Sequence, residues 1–324
     1  GGALVIAGVP LIVAITGGPT PESSYRHTYQ EVTPDFTQFD PVTKFSARVD
    51  AVTRLPDLLR QAFREVTSGA PGPVYLQIQS HLGEMAEQEA ELEPLVEAQF
   101  TRAPAFRPEP ESERVRDVAA RLAKAQKPVI VAGGGVIRSQ AQAEVVELAE
   151  ALQIPVVTSL NAKATIVDAH PLAVGVSGLY SRDSANRVVL EADLVFFIGS
   201  HTGGQVTHNW IFPKRGTPVI QLDINPAELG RNYPNVASIL GDAKVSLRRL
   251  IDVVQRKPPQ AAQAWLARVQ QIKAEWRAEN EPMRNSDAVP IRPERICKEI
   301  SEALPADGIL VADEIVLQGH GHKQ

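Results

Sequence analysis

The sequence predicts an α/β fold built from parallel sheets in three-layer domains. Three apolar runs of buried-strand type carry this prediction, and each ends in glycine or an acid: 128–132 before Gly133, 192–198 before Gly199, and 218–223, which ends on Asp223. Continuous apolar runs are typical of strands that are covered on both faces. Glycine lets backbone N–H groups approach a phosphate, and a carboxylate at a strand end can accept hydrogen bonds from a ribose. The pattern therefore predicts a domain of nucleotide-binding type.

Residues 1–84 are predicted to form a first α/β unit. An apolar strand over 9–15 leads into Thr16-Gly17-Gly18, and a short strand is expected near 43–49. Residues 55–69 predict an amphipathic helix, because apolar side chains recur at the helical period and Gly69 suits the C-terminal stop. A strand over 74–78 follows.

The middle of the chain is predicted to be one complete domain over 114–255. Residues 85–113 are acidic and then proline-rich, which is the composition of a linker. A helix over 115–123 opens the domain, and strands and helices then alternate, which is typical of a parallel sheet. The predicted strands lie at 128–132, 155–158, 192–198 and 218–223, and the predicted helices lie near 141–152 and 181–191.

The last part of the chain predicts a second linker and the start of a third unit. Residues 256–293 form that linker and include a charged helix over 264–280. A helix over 294–304 and a strand over 308–312 open the unit 294–324. The chain has no initiator methionine and stops just after this strand, so we expect a segment cut at both ends.

Composition narrows the classes of function. A length of 324 residues suits about two domains on the usual prior, and 22% charged and 44% apolar residues are ordinary for a globular protein. The net charge of −5 and the scattered Lys and Arg give no footprint for nucleic acid. A single cysteine suits a reducing compartment, and no apolar run approaches the ~18 residues of a membrane span. We expect a cytoplasmic protein without nucleic-acid or membrane partners.

Several local motifs occur in a characteristic order. The first part holds Gly8-Val-Pro-Leu-Ile-Val-Ala-Ile-Thr-Gly17, Tyr29-Gln30-Glu31 and Gly69-Ala-Pro-Gly-Pro-Val74, and the middle holds Lys127 to Gly135 and Leu222-Asp-Ile-Asn-Pro-Ala-Glu228. Together they resemble the thiamine diphosphate-dependent enzyme superfamily, acetolactate synthase type. The resemblance implies that 1–84 is the C-terminal part of a pyrimidine-binding domain, that the central domain is complete, and that 294–324 begins a pyrophosphate-binding domain.

The resemblance also implies a chemistry. Such enzymes use thiamine diphosphate and Mg²⁺ to decarboxylate a 2-keto acid and pass the resulting carbanion to a second carbonyl, and they work as homodimers or tetramers. The family glutamate that activates the cofactor would precede Gly1, and the magnesium motif would follow the predicted strand over 308–312. No metal ligand is therefore assigned, and we expect the isolated chain to be inactive.

Three neighbouring residues are candidates for catalysis by the same resemblance. Gln30 would face the cofactor or the substrate across a dimer, although a loop glutamine paired with backbone is an equal alternative. Tyr29 would supply an aromatic wall with a hydroxyl that needs a partner. His27 is a candidate acid–base residue, and a solvated loop histidine is the alternative.

The central domain carries the candidate cofactor-binding residues. They are expected to hold FAD or an ADP-type nucleotide, or else to form a scaffold that binds nothing. Arg138 is the best phosphate contact, because a guanidinium can pair with phosphate through two parallel hydrogen bonds. The set is Gly133, Gly134, Gly135, Arg138, Thr158, Ser159, Leu160, Gly175, Gly178, Gly199, Asp223 and Asp242.

Three departures weaken the resemblance to the flavin-containing branch. The segment Gly199–Gln205 has neither the arginine nor the acids expected there, Gly175-Val-Ser-Gly178 lacks a histidine, and Asp40 stands where an arginine is expected. These departures favour a flavin-free decarboxylase or carboligase of the benzoylformate decarboxylase or benzaldehyde lyase type. A non-catalytic nucleotide-binding module is a further alternative.

Overall fold

The protein is described by a computed structural model that covers residues 13–20, 23–26, 36–79, 89–254, 261–305 and 307–310. The chain divides into two compact units, Gly1–Arg107 and Pro108–Gln324. Each unit is built on a parallel sheet, which confirms the predicted fold class.

The described residues of the first unit hold a three-stranded sheet and one α-helix. Its elements are β1 (Val13–Gly18), β2 (Phe45–Val49), α1 (Leu55–Thr67) and β3 (Val74–Gln79). The strand order is β1-β3-β2, with both pairs parallel. The predicted amphipathic helix is confirmed, because Leu58, Ala62 and Val66 on one of its faces are buried against the sheet.

Lys44 and Gly69 end helix α1. The Lys44 ammonium donates to the carbonyls of Glu65 and Ser68, which lack partners within the helix at its C-terminus. Burial lowers the pKa of Lys44, and Glu65 opposes this shift. Gly69 follows with φ +59°, a left-handed conformation that glycine adopts without a Cβ penalty.

The second unit begins with a helix and a six-stranded sheet. In chain order its elements are α2 (Ser112–Lys124), β4 (Pro128–Ala132), α3 (Gly134–Ser139), α4 (Gln142–Leu152), β5 (Val156–Thr158), β6 (Ala173–Val176), α5 (Asp183–Glu191), β7 (Leu194–Ile198), α6 (Gly204–Thr207), β8 (Val219–Asp223), β9 (Asn235–Leu240), α7 (Ala243–Val253), α8 (Ala262–Arg284) and α9 (Pro293–Ala303).

The sheet of the second unit is doubly wound. Its strand order is β6-β5-β4-β7-β8-β9, and all five pairs are parallel. The chain starts in the middle at β4, runs outward to β6, and returns to place β7 on the other side of β4. Strand order therefore reverses between β4 and β7, and the crevice at the carboxyl ends of such a pair is where ligands bind in this class of sheet.

Apolar residues cover both faces of this sheet. Ile130 and Phe196 point into one core, which α2, α4 and α7 complete. Val131 and Phe197, their neighbours along the strands, point into the other core, beneath α5 and α8. Successive strand residues face opposite sides, so uninterrupted apolar runs fill both cores and give the predicted three layers.

Helix α8 is longer than the predicted charged helix over 264–280 and belongs to the second core. Trp265, Val269 and Ile272 are buried on one side of it. The Trp265 indole N–H donates to the Pro128 carbonyl at 2.9 Å, which ties the helix to the first residue of β4. The apolar period of the segment is masked in sequence by the charged residues on its exposed sides.

Two strands of the sheet were not predicted. Strand β6 has four residues, one of them Gly175, and in β9 the buried Ala237 and Ile239 alternate with half-buried or exposed side chains. Neither gives the continuous apolar signal that identified the inner strands, because both lie at edges of the sheet.

The prediction of a strand over 308–312 is wrong for its described part. Residues 308–310 have no strand conformation, and Ile309 is 87% exposed. A strand requires a neighbour for its backbone hydrogen bonds, and no described strand lies beside these residues. Residues 311 and 312 lie outside the described part of the chain.

The loops after β6 and β7 meet each other, although two strands separate those elements in the sheet. The Leu179 N–H donates to the Gln205 carbonyl at 2.8 Å, and the Ser177 hydroxyl donates to the Val206 carbonyl at 3.3 Å. Gly178 has φ +111°, and a Cβ there would lie 1.8 Å from the Gln205 oxygen. The two loops therefore bridge the carboxyl-end region between β6 and β7, and the contact requires glycine at 178.

We expect Trp265→Phe to lower the free energy of unfolding by about 2–4 kcal/mol, because it leaves the buried Pro128 carbonyl without its donor and opens a void. Urea unfolding of the two proteins measures the difference. Trp210→Phe is the control, since Trp210 is 54% exposed. Equal effects of the two substitutions would show that the Trp265 hydrogen bond and its packing do not stabilise the unit.

We expect Gly178→Ala to cost about 2 kcal/mol or more, because the new methyl group forces the two loops apart and a positive φ disfavours alanine. Gly203→Ala in the same loop pair is the control. Gly203 has φ −75° and nothing within 4 Å of a Cβ position, so its substitution should change stability by less than about 1 kcal/mol. Chemical denaturation of both variants tests the difference, and a neutral Gly178→Ala would contradict the bridge.

Candidate functional site

Two glycine turns pack against each other where strand order reverses. Gly133 follows β4 and Gly199 follows β7, and a Cβ on Gly133 would lie 2.2 Å from the Gly199 oxygen. The Gly135 N–H donates to that same oxygen at 3.0 Å, and the Gly133 N–H donates to the Ile198 carbonyl at 2.8 Å. The Gly199 N–H donates to the Leu222 carbonyl at 2.8 Å.

These contacts change the role expected for the glycines. Three of the N–H groups that were candidates for binding a phosphate are already donated to backbone carbonyls. The glycines are required because the turns after β4 and β7 touch backbone to backbone. Gly134 differs from them, since a Cβ there would meet only the Asn161 side chain at 3.4 Å and the Asn161 carbonyl at 4.0 Å.

Asp223 and Arg138 bring opposite charges to this edge. Asp223 ends β8, is 8% exposed, and accepts a hydrogen bond from the Asn225 N–H at 2.9 Å. Burial raises the pKa of the Asp223 carboxyl, and that hydrogen bond partly opposes the shift. Arg138 lies on α3, where burial lowers the pKa of its guanidinium and the charge of Asp223 opposes this. A carboxyl group and a guanidinium cation thus influence each other in a partly desolvated place.

Glu228 adds a second buried carboxylate. It is 4% exposed, and its Oε1 accepts from Arg231 at 2.6 Å. Its Oε2 is buried and has no hydrogen-bond partner among the described residues, with His201 Nδ1 3.8 Å away. A buried carboxylate oxygen without a donor is costly, so this atom is suited to accept a ligand hydroxyl. The sequence motif contained Glu228, but an acid two residues after a proline gave no reason to expect burial.

Asn232 fixes the loop after β7. Its amide donates to the His201 carbonyl, the Thr202 carbonyl and the Thr202 hydroxyl at 3.1–3.2 Å. Thr202 has φ +49° and is fully buried. Asn232 was missed in the sequence because an asparagine in a polar loop carries no distinguishing signal.

Asp242 has a structural role in this edge. It is 2% exposed, its Oδ1 accepts from the Val245 N–H at 3.2 Å, and its Oδ2 accepts from the Ser139 hydroxyl at 2.7 Å. The first contact is an N-cap of α7. The Ser139 hydroxyl also accepts from the Lys244 N–H at 3.0 Å, so α3 and α7 are joined through one buried pair. Both carboxylate oxygens are therefore engaged by the protein.

The remaining candidates lie on the β5–β6 side of the sheet. Thr158 ends β5, and its carbonyl accepts from the Ser177 N–H at 2.9 Å. The Ser159 N–H donates to the Ala132 carbonyl at 2.8 Å, and Leu160 begins a short 3₁₀ turn. Gly175 has φ +125° beside the Arg182 side chain.

Gly178 is held by a residue that was not predicted. The buried Asn186 amide accepts from the Gly178 N–H at 2.8 Å and donates to its carbonyl at 3.2 Å. The candidates thus fall into two groups on one sheet, one around β4, β7 and β8 and the other around β5 and β6.

The candidate catalytic residues Gln30, Tyr29 and His27 lie outside the described residues. In the described part of the chain, no group of three or more His, Cys, Asp or Glu side chains is placed to hold a metal ion. Of the helices that are described, none has the length and apolar character needed to cross a membrane.

The described residues fit parts of a nucleotide. Asp223 and the free oxygen of Glu228 can accept from ribose hydroxyls, and Arg138 can pair with a phosphate. Nothing in the segment Gly199–Gln205 is specific to a flavin ring, since its one ionisable side chain is that of His201, which is 73% exposed. The residues expected to contact thiamine diphosphate lie outside the described part of the chain.

Comparisons with known proteins agree with this architecture. Residues 115–250 match the family "Thiamine pyrophosphate enzyme, central domain". The "Probable acetolactate synthase large subunit" of Methanocaldococcus jannaschii is 30% identical over 315 residues, which are 97% of this chain and 52% of that protein. The "Acetolactate synthase isozyme 1 large subunit" of Escherichia coli K12 is 35% identical over 77% of this chain and 43% of its own length.

A relative with a different printed activity is also similar. The "Glyoxylate carboligase" of Escherichia coli O157:H7 is 29% identical over 91% of this chain and 49% of its own length. The chain spans about half the length of the curated relatives it matches. Its doubly wound parallel domain over 115–250 belongs to the thiamine pyrophosphate enzyme family, and most of the chain is related to acetolactate synthase large subunits.

Proposed function

We propose that the complete protein is a thiamine diphosphate-dependent enzyme of acetolactate synthase type, which decarboxylates a 2-keto acid and joins the product to a second carbonyl compound. The observation that carries this proposal is the relation to an acetolactate synthase large subunit over nearly the whole chain, of which residues 115–250 match the family central domain. Thiamine diphosphate and Mg²⁺ would supply the carbanion chemistry.

The proposal includes an arrangement of domains and subunits. Residues 1–84 would be the C-terminal part of a pyrimidine-binding domain, 114–255 the central domain, and 294–324 the start of a pyrophosphate-binding domain. Residues 85–113 and 256–293 would connect them. The active enzyme would be a homodimer or tetramer in which Gln30 approaches the cofactor or substrate, with Tyr29 as a neighbouring aromatic wall and His27 as an acid–base residue.

We propose that the central domain binds an ADP-type nucleotide at the carboxyl ends of β4, β7 and β8. Asp223 and Glu228 would accept hydrogen bonds from the ribose, and Arg138 would contact a phosphate. The support is the raised pKa of the Asp223 carboxyl beside a cation and the unpartnered Oε2 of Glu228. FAD shares the same adenosine diphosphate portion and is therefore the alternative ligand.

A flavin-free decarboxylase or carboligase of the benzoylformate decarboxylase or benzaldehyde lyase type is the second candidate function. The specific observation in its favour is that the N–H groups of Gly133, Gly135 and Gly199 are donated to backbone carbonyls, next to a loop without arginine or acid. A non-catalytic nucleotide-binding module is the third reading, and the activity measurement separates it from the other two.

We expect the purified complete protein, supplied with thiamine diphosphate and Mg²⁺, to convert pyruvate to acetolactate. Gln30→Ala should lower kcat roughly a hundredfold, the scale of losing one side chain aimed at the reacting atoms. Gln38→Ala is the matched control, because Gln38 is an exposed residue of the 3₁₀ helix Phe36–Val42 and its substitution should leave kcat unchanged.

The donor substrate distinguishes the alternatives in this assay. Turnover of glyoxylate in place of pyruvate would favour an activity like that of the carboligase relative. Turnover of benzoylformate would support the flavin-free decarboxylase or carboligase. Absence of turnover with all three donors would support the non-catalytic module and contradict the proposed activity.

We expect Asp223→Asn to weaken ADP binding roughly tenfold or more, because a neutral amide accepts more weakly from ribose hydroxyls than a carboxylate does. The fold should persist, since the amide oxygen can still accept from the Asn225 N–H. Calorimetric titration with ADP and with FAD measures the change, and Asp252→Asn on the exposed side of α7 is the control. Equal affinity of wild type and Asp223→Asn would contradict the proposed groove.

A further inference from the structure

Several charged side chains of helix α8 form ion pairs. Arg268 contacts the Glu191 carboxylate at 2.6 Å, and Glu279 receives Arg187 of α5 at 2.6 Å. Near the end of the helix, Arg284 contacts Glu281 at 3.5 Å. Charged side chains on this helix are thus commonly paired with a side chain of opposite charge.

Lys273 and Arg277, one turn apart on the same helix, depart from this pattern. Neither has a carboxylate within 4 Å in the described part of the chain. Lys273 is half-buried, and its ammonium donates to the Ala173 carbonyl at the start of β6 at 2.7 Å. An ammonium has three N–H donors, so two of them remain for another partner.

Arg182 brings a third cation to the same place. It lies beside Gly175, at 3.1 Å from a Cβ position there, and its guanidinium carbon is 5.5 Å from the centre of the Trp276 ring. Asp168 contacts Arg182 at 3.2 Å. Lys273 is half-buried against β6 and Arg277 is exposed one turn further along α8. Together with Arg182 and Asp168, these side chains carry a net charge of +2 (+3 − 1).

The electrostatics of Lys273 show that these groups act on each other. Burial lowers its pKa, the charges of Arg277 and Arg182 lower it further, and Asp168 opposes them. A lysine that covers the free edge of a strand is a common protective device and would account for Lys273 alone. It does not account for two guanidinium groups beside that lysine, because like charges that are close together favour binding of an anion between them.

We propose that Arg182, Lys273 and Arg277 form a binding site for the phosphoryl group of a small molecule. A phosphate dianion would balance the net charge of +2, accept the two remaining ammonium N–H donors, and pair with the planar donor forks of the guanidinium groups. This site lies beside the edge strand β6, apart from Asp223 and Glu228, which end β8 and the turn after it. It does not depend on the thiamine chemistry proposed above.

Titration of the complete protein with inorganic phosphate, at an ionic strength held constant with chloride, tests the site. We expect calorimetry to detect binding and the unfolding temperature to rise with phosphate concentration. Arg277→Gln should weaken phosphate binding about tenfold, which is the effect of losing one charge-assisted contact. Arg284→Gln on the same helix is the matched control and should bind phosphate as the wild type does.

The stability of the phosphate-free protein separates this site from a structural role. Arg277→Gln should be at least as stable as the wild type without phosphate, because it removes a repulsion, whereas a stabilising arginine would make the variant less stable. Titration with ADP distinguishes the source of the phosphoryl group: a second ADP-binding event that Arg277→Gln abolishes assigns a nucleotide phosphate, and a single event that Arg277→Gln leaves unchanged assigns free phosphate. Identical phosphate responses in wild type and Arg277→Gln would overturn the proposal.

Discussion

The contact between the turns after β4 and β7 is the constraint on which the rest of the central domain depends. A parallel sheet that reverses its strand order must let the chain leave two neighbouring strands in different directions. Here the two departures share one small space, with the Gly135 N–H bonded to the Gly199 carbonyl. Backbone fills the place where side chains would otherwise lie, so the direction of α3 is set by main-chain geometry.

Other features of the edge follow from the direction of α3. Its last residues are Arg138 and Ser139, which therefore lie near Asp223 and Asp242. The Ser139–Asp242 pair in turn fixes the start of α7, and α7 covers one core of the sheet. The turn Gly133–Gly135 thus determines where the Arg138 side chain and helix α7 are placed, although the glycines contribute almost no apolar surface.

The inner strands were predictable from sequence because burial on both faces leaves a continuous apolar run. The edge strands β6 and β9 were not, since one side of each meets solvent or loops and the apolar signal is weak. For the candidate site, position along the chain correctly indicated the carboxyl ends of the strands. It did not show which hydrogen-bonding groups remain available to a ligand. Asp223 ends β8 and Asp242 follows β9. The Asp242 carboxylate accepts from Ser139 and Val245, whereas the Asp223 carboxylate accepts only from backbone N–H groups of its own turn among the bonds described. Only the three-dimensional partners distinguish them.

The bridge between the loops after β6 and β7 also limits how this protein can change. The carbonyl of Gln205 is met by the Leu179 N–H, and Gly178 lies against it without a side chain. An insertion in either loop would shift one partner past the other and break several contacts at once, while a replacement of an exposed side chain would leave them intact. Most surface loops tolerate added residues, because closing a longer loop costs little entropy. In these two loops the length is constrained by the geometry of the bridge, so diversity in this part of the fold has to come from the identity of side chains.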